Sequence, residues 1–225
     1  METNLEQTVA IVTGAGQGLG AEIAQRLAAA GVRVAVNDIN PDRAERTAVT
    51  IQQAGGAAIA VAADVGNKFQ CVHLIETTRA EWGRLDILVN NAAIMPQSTI
   101  LKLDEWEWNR CLEVNLKGTF FMSQLVGRVM ADENQARGGG VIINIASTAG
   151  VELPLENRAA YCASKAGMVG FSRECAREYA GYGIRVHVLV VAEERPSSPP
   201  KIAQTVLTLC QHPSNHLLHR AESLD

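Results

Sequence analysis

Hydrophobic positions along the chain fall into short Val- and Ile-rich runs separated by longer stretches of helical character. The runs are Thr8–Val12, Val32–Asn37, Ala57–Ala62, Asp86–Asn90, Val141–Ala146 and Ile184–Val191, and none alternates strictly between apolar and polar. A strand wetted on one side alternates, whereas a strand covered on both faces stays apolar throughout. These runs therefore predict strands buried between two layers. The stretches near 18–30, 41–54, 67–82, 104–131 and 158–180 predict helices. Asn40-Pro41 gives a polar cap followed by proline at the first turn, and Gly31 and Gly55-Gly56 give stops. A repeated strand–helix–strand order crosses over right-handed and builds a mostly parallel sheet. The expected fold class is α/β: a Rossmann-like doubly wound parallel sheet of order 3-2-1-4-5-6, a seventh strand left open, with helices on both faces. One domain spans residues 1–225, and Arg137–Gly140 is a connection inside the pattern rather than a boundary. Beyond the sixth strand come a polar, proline-rich loop, a helix near Lys201–Cys210 and an edge strand near Asn215–Arg220.

Composition narrows the partners. Hydrophobic residues are 47% and charged residues 20%, values of a globular chain and not of a disordered one. Lys and Arg number 20 against 24 Asp and Glu, a net charge of −4 with no basic stripe, so nucleic acid is not an expected partner. The cysteines Cys71, Cys111, Cys162, Cys175 and Cys210 are scattered, without ligand spacing. They read as reduced thiols of a cytoplasmic protein and predict no metal site. No apolar run reaches membrane-spanning length. Met1–Thr8 carries Glu2 and Glu6 without a basic residue, unlike a signal peptide.

The first strand runs into Thr13-Gly14-Ala15-Gly16-Gln17-Gly18-Leu19-Gly20 and then into a helix. Glycines at such a turn let the backbone approach a ligand, and the helix N-terminus favours a pyrophosphate. The spacing is Gly14-x3-Gly18-x-Gly20, with Leu19 where the strict dinucleotide pattern needs its third glycine. A turn required only for tight packing is the competing reading. Asp38, at the end of the second strand, can accept hydrogen bonds from adenosine ribose hydroxyls and repel a 2′-phosphate, which favours NAD over NADP. Arg43 and Arg46 stand close enough in sequence to soften that choice.

Tyr161 and Lys165 are spaced i, i+4 in a helical stretch and so share a face. An ammonium beside a phenol favours the phenolate, and such a pair suits proton transfer to or from an alcohol or carbonyl. Alone the spacing is weak, because a solvated helix face produces it too.

The Thr13–Gly20 loop, Asp64-Val65, Asn90-Asn91-Ala92, Asn115, Ser147 and Tyr161-x3-Lys165 occur in one order. Together they resemble the classical short-chain dehydrogenase/reductase family over about residues 8–190. The resemblance implies a catalytic set of Asn115, Ser147, Tyr161 and Lys165. Tyr161 would exchange the proton, Lys165 would bind the nicotinamide ribose and tune Tyr161, Ser147 would hold the substrate oxygen, and Asn115 would hold a water. It implies a cofactor-binding set of Gly14, Gln17, Gly18, Leu19, Gly20, Asp38, Ile39, Asp64, Val65, Asn91 and Ala92, joined by Tyr161 and Lys165, with Asn90 also against the adenosine side. Helices near 104–131 and 158–180 resemble those the family uses for pairing, implying a homodimer or homotetramer. The expected function is NAD-dependent hydride transfer between the cofactor and a secondary alcohol or ketone. An NADPH-dependent carbonyl or 3-oxoacyl reductase and a nucleotide-binding module with little catalysis remain as alternatives.

Three departures from the family are visible. Ala93 stands where glycine is usual, which predicts a permissive backbone angle and a shifted loop. His187 replaces an asparagine; it reads as a satisfied core histidine. After the sixth strand the family's Pro-Gly turn and covering loop are not found, and residues 192–200 form a shortened loop in place of the lid. The expected substrate wall is Ile94, Met95, Pro96, Val151, Leu153 and Leu155, with Glu152 and Glu156 adding negative charge. Trp106 and Trp108 read as packing or interface residues. A lid excludes water and firms the reacting end of a site. Fluorescence titration is therefore expected to show weaker NADH binding than in lidded relatives; an equally tight Kd contradicts the open-site reading.

Overall fold

The computed structural model describes residues 4–192, 198–212 and 217–221. Seven strands form one sheet: β1 (Val9–Val12), β2 (Arg33–Asp38), β3 (Ala58–Ala62), β4 (Ile87–Asn90), β5 (Gly140–Ser147), β6 (Ile184–Val191) and β7 (Leu218–Arg220). Their order is β3-β2-β1-β4-β5-β6-β7, and every pairing is parallel. The helices are α1 (Gly18–Ala29), α2 (Pro41–Gln53), α3 (Lys68–Trp82), α4 (Glu105–Leu112), α5 (Gly118–Glu133), α6 (Ala159–Tyr179) and α7 (Pro199–Gln211). The seventh strand is present at the edge. Residues 193–197 of the shortened loop, and the start of the expected last strand at 215–216, lie outside the described residues.

The unbroken apolar strands have the predicted cause. Ala10, Val12, Val34, Val36 and Ile143 face one layer with Ile23, Leu27, Ile51 and Val206. Their neighbours Val9, Ile11, Ala35 and Ile142 face the other with Leu74, Val126 and Met130. Both sets are buried, so neither parity along a strand turns polar.

The stretch expected as one helix over 104–131 is instead three pieces. Between α4 and α5 the residues Glu113–Lys117 form a π-helical turn. Such bulges widen a helix locally and are frequent at functional sites. Sequence periodicity does not show this one, because the flanking helices continue with αR geometry at both junctions, Glu113 and Gly118.

Two polar devices lock the layers. Arg185 on β6 donates to the carbonyls of Leu209 (3.0 Å), Cys210 (2.9 Å) and His212 (2.8 Å), the carbonyl end of α7. Among the described residues, a buried chain also links β4, β5, α5 and α6. Asn90 Nδ2 donates to Asn144 Oδ1 (2.8 Å) and Ser123 Oγ (3.0 Å), and Asn144 Nδ2 donates to Ser172 Oγ (2.8 Å). Asn90 therefore points into the interior, correcting its expected place against the adenosine. Asn144→Ala strands polar partners that water cannot reach and leaves a void, so urea unfolding is expected to show a loss of about 2–4 kcal/mol. A loss within about 0.5 kcal/mol, the range of ordinary surface changes, contradicts this network's importance.

Candidate active site

The loops after β1 and β4 diverge at the point where strand order reverses, the usual ligand crevice of an open α/β sheet. A clasp holds this point open. Thr13 Oγ1 accepts from the N–H groups of Asn91 and Ala92, each at 3.0 Å. Asn91 Nδ2 donates back to the carbonyls of Thr13 (3.0 Å) and Gly14 (3.1 Å). The Gly14–Gly20 turn is thus fixed from the side, with its outer surface free for a ligand.

The first turn of α1 suits an anion. Helices α2, α3 and α4 each carry a side-chain cap, from Asn40, Asn67 and Asp104. The N-cap of α1 is Gln17, which makes no side-chain cap bond, and no acidic residue follows in the first turn. Gln17, Gly18, Leu19 and Gly20 line a cleft of about 390 Å³. All eleven residues expected on the nucleotide side line that cleft: Gly14, Gln17, Gly18, Leu19, Gly20, Asp38, Ile39, Asp64, Val65, Asn91 and Ala92.

Asp38 ends β2 on the cleft floor. Its Oδ2 accepts from Gly16 N at 3.2 Å and its Oδ1 from Asn40 N at 2.9 Å. Arg43 lines the same cleft. Asp64 Oδ1 accepts from Gly66 N (2.9 Å) and its Oδ2 from Arg110 Nη2 (2.7 Å).

A second cleft of about 400 Å³ holds Tyr161 and Lys165 with Ile145, Ala146, Val191, Ala192, Pro199 and Ile202. Leu19, Asn91 and Ala93 line both clefts, so the two form one groove across the carboxyl ends of the strands. Lys165 is buried at 2% exposure, and its Nζ donates to the Ile145 carbonyl at 2.7 Å. The same Nζ stands 5.5 Å from the centroid of the Tyr161 ring. The i, i+4 spacing therefore does place phenol and ammonium together.

Asn115 and Ser147 line neither cleft directly. Asn115 sits in the π-helical turn and is fully buried. Its Oδ1 accepts from Ile94 N (2.8 Å), while its Nδ2 donates to the Ile94 carbonyl (2.9 Å) and Ser164 Oγ (3.0 Å). It thereby ties the loop after β4 to the helix that carries Tyr161. Ser147 ends β5, is fully buried, and its Oγ accepts from Ala149 N at 3.0 Å.

Several readings need correction or refinement. Ala93 adopts no left-handed angle: among the described non-glycine residues only Gln7 (φ 64°) and Asn157 (φ 56°) do. The loop accommodates alanine without that distortion. Of the expected substrate wall, Val151, Leu153 and Leu155 line a separate pocket of about 500 Å³ beside α6, together with Glu152, Arg158 and Cys162. Ile94 lines the nucleotide cleft instead, and Met95 and Pro96 line none of these spaces. Glu152 pairs with Arg220 of β7 at 3.0 Å. Trp108 packs beside Tyr161 and Cys111, whereas Trp106 is exposed. His187 is buried and its Nδ1 lies 3.1 Å from His219 Nε2, as suits a core histidine. Burial raises the Cys71 and Cys210 thiols to about 12 and Cys175 to about 11, so these are inert packing groups. Thr13 and Arg110 were not singled out from sequence as individual site residues. Thr13 acts through its hydroxyl on a distant loop, and Arg110 faces Asp64 from 46 positions away; no local spacing reveals either.

A family model for short chain dehydrogenases matches residues 8–193. The D-threitol dehydrogenase of Mycolicibacterium smegmatis is 40% identical over 185 residues, 82% of this chain and 69% of that enzyme. Among solved structures, a metagenomic short-chain oxidoreductase in complex with NADP superposes with a TM-score of 0.86 at 30% identity, over 97% of this chain and 96% of that one. The 3-ketoacyl-(acyl-carrier-protein) reductase of Brucella melitensis complexed with NADH gives 0.85 at 32% identity, over 92% and 91%. The parallel sheet and its crevice define a Rossmann-like fold. The chain belongs to the short-chain dehydrogenase/reductase family, whose members act on CH–OH and carbonyl groups.

Two glycines of the turn are expected to respond differently to alanine. A Cβ on Gly20 would stand 2.3 Å from the Gly14 carbonyl oxygen and 2.5 Å from Asn91 Nδ2, so the clasp must move. A Cβ on Gly18 meets nothing within 4 Å, and only its φ of +56° is unfavourable. Gly20→Ala should cost about 3 kcal/mol and Gly18→Ala about 1 kcal/mol in urea unfolding. The reverse order contradicts the described loop.

Proposed function

We propose that this chain is an NAD-dependent oxidoreductase that interconverts a secondary alcohol and its ketone, with Tyr161 as general acid/base. The observation that carries this reading is the single groove, which opens at the uncapped end of α1 and closes on the Tyr161–Lys165 pair. The glycine turn, the uncapped helix and the Asp38 carboxylate line one cleft and together support a dinucleotide there.

A bound nicotinamide supplies or accepts the hydride. The residues of this chain handle binding and the proton. Gly18, Leu19 and Gly20 offer backbone N–H groups to phosphate oxygens. Asp38 accepts from ribose hydroxyls and opposes a 2′-phosphate, which supports NAD. The Tyr161 hydroxyl gives a proton to the carbonyl oxygen in reduction, or takes one from the alcohol in oxidation. Lys165, anchored on the Ile145 carbonyl, favours the phenolate when that proton leaves. Ser147, at the end of β5, is the hydroxyl for the substrate oxygen, and Asn115 keeps the loop after β4 against α6.

A second reading rests on Arg43, whose position in the cleft beside Asp38 supports NADPH and a 3-oxoacyl or carbonyl reductase. The D-threitol dehydrogenase relative supports a polyol or other small alcohol, and the NADH-bound reductase supports a ketone. We also propose a homodimer or homotetramer, since α5 and α6 leave Phe120, at 37% exposure, and a groove beside Phe171 on the surface. Among the described residues no helix is long and apolar enough to cross a membrane.

On a ketone panel, NADH should be oxidised faster than NADPH. Tyr161→Phe should lower turnover by about 10²–10⁴-fold while NADH binding persists. Faster oxidation of NADPH would transfer support to the second reading. Binding without turnover on any ketone or alcohol would instead mark a nucleotide-binding module.

A further inference from the structure

The adenosine end of the groove contains a cation that the family resemblance did not assign. Arg110, in the last turn of α4, lines the cleft with its side chain about one-quarter exposed. Its Nη2 donates to Asp64 Oδ2 at 2.7 Å, and its Nη1 lies 3.6 Å from Glu113 Oε2. The other Asp64 oxygen accepts from Gly66 N at 2.9 Å. Asp64 is thus held from two sides, by its own turn and by a helix 46 residues away, while its carboxylate still borders the cleft. A carboxylate has about four acceptor positions, and these two contacts leave others for a ligand. Glu113 also pairs with Lys117 at 3.0 Å.

We propose that Arg110 is a positioning residue that fixes the Asp64 carboxylate to accept from the amino group of an adenine base, and so helps select adenine dinucleotides. This rests on the nucleotide reading of the groove given above. Arg110 acts through Asp64, since its closest nitrogen is already bonded there. Without it, Asp64 keeps only its local turn, and the carboxylate is free to rotate away from the base. The guanidinium also offsets the carboxylate's charge beside an anionic dinucleotide.

The test compares equilibrium binding of NADH with that of its hypoxanthine analogue, in which a carbonyl replaces the adenine amino group, by fluorescence titration. Wild type should prefer NADH by about tenfold, the scale of one hydrogen bond to a charged group. Arg110→Met should reduce that preference to within about twofold, and Arg110→Lys should restore most of it. Arg110→Gln serves where the Met variant does not fold, as judged by circular dichroism. A merely structural role for Arg110 would lower both affinities together and leave their ratio intact, which overturns the proposal. Wild type binding neither dinucleotide would sink the nucleotide reading itself, and a wild type that binds both equally would overturn the role of Asp64 and Arg110 alone.

Discussion

A buried ammonium makes the strongest demand on this structure. Lys165 is 2% exposed, and burying a charge costs several kcal/mol unless hydrogen bonds and partners offset it. Its Nζ donates to the Ile145 carbonyl at 2.7 Å, and the ring of Tyr161 lies beside it. The sheet supplies that carbonyl at the end of a central strand, and α6 supplies the lysine and the phenol one turn apart. Strand order, helix docking and the loop after β5 all converge on this one contact. Its cost is understandable under the proposed role, in which the ammonium favours a phenolate.

The second constraint is the clasp between the loops after β1 and β4. Thr13 and Asn91 exchange bonds across the point where strand order reverses, and the glycine turn keeps its outer face clear as a result. Reactive end and nucleotide end then share Leu19, Asn91 and Ala93. Asn115 reinforces the same loop from the π-helical turn, joining Ile94 to Ser164 of α6. The groove is bordered by hydrogen bonds among buried and half-buried polar side chains, which fix the loops after β1 and β4 relative to α6.

Much of this was legible in the sequence. Strands covered on both faces are predominantly apolar without in/out alternation, so their limits were readable to within a residue or two. The helix spacing of Tyr161 and Lys165 and the glycine turn are local patterns, and local patterns survive without coordinates. What stayed hidden depends on residues distant in the chain. Asn90 looked like a ligand residue because its neighbour Asn91 is one in the resemblance, yet strand parity turns it inward to Asn144. The π-helical turn carries no turn or breaker residue to mark it; one extra residue advances the apolar stripe by about 100°, a phase change read as part of one long helix. Ala93 raised a conformational expectation that the loop meets with ordinary backbone angles. Arg110 was unreadable because its partner is on another layer.

The most direct measurement is a crystal structure of the protein with NAD bound. The account predicts a dinucleotide stretched along the groove, its pyrophosphate on the first turn of α1 and its nicotinamide ring against Tyr161 and Lys165. A cofactor whose ring lies away from that pair, or a Tyr161 hydroxyl turned from the groove in the complex, would contradict it.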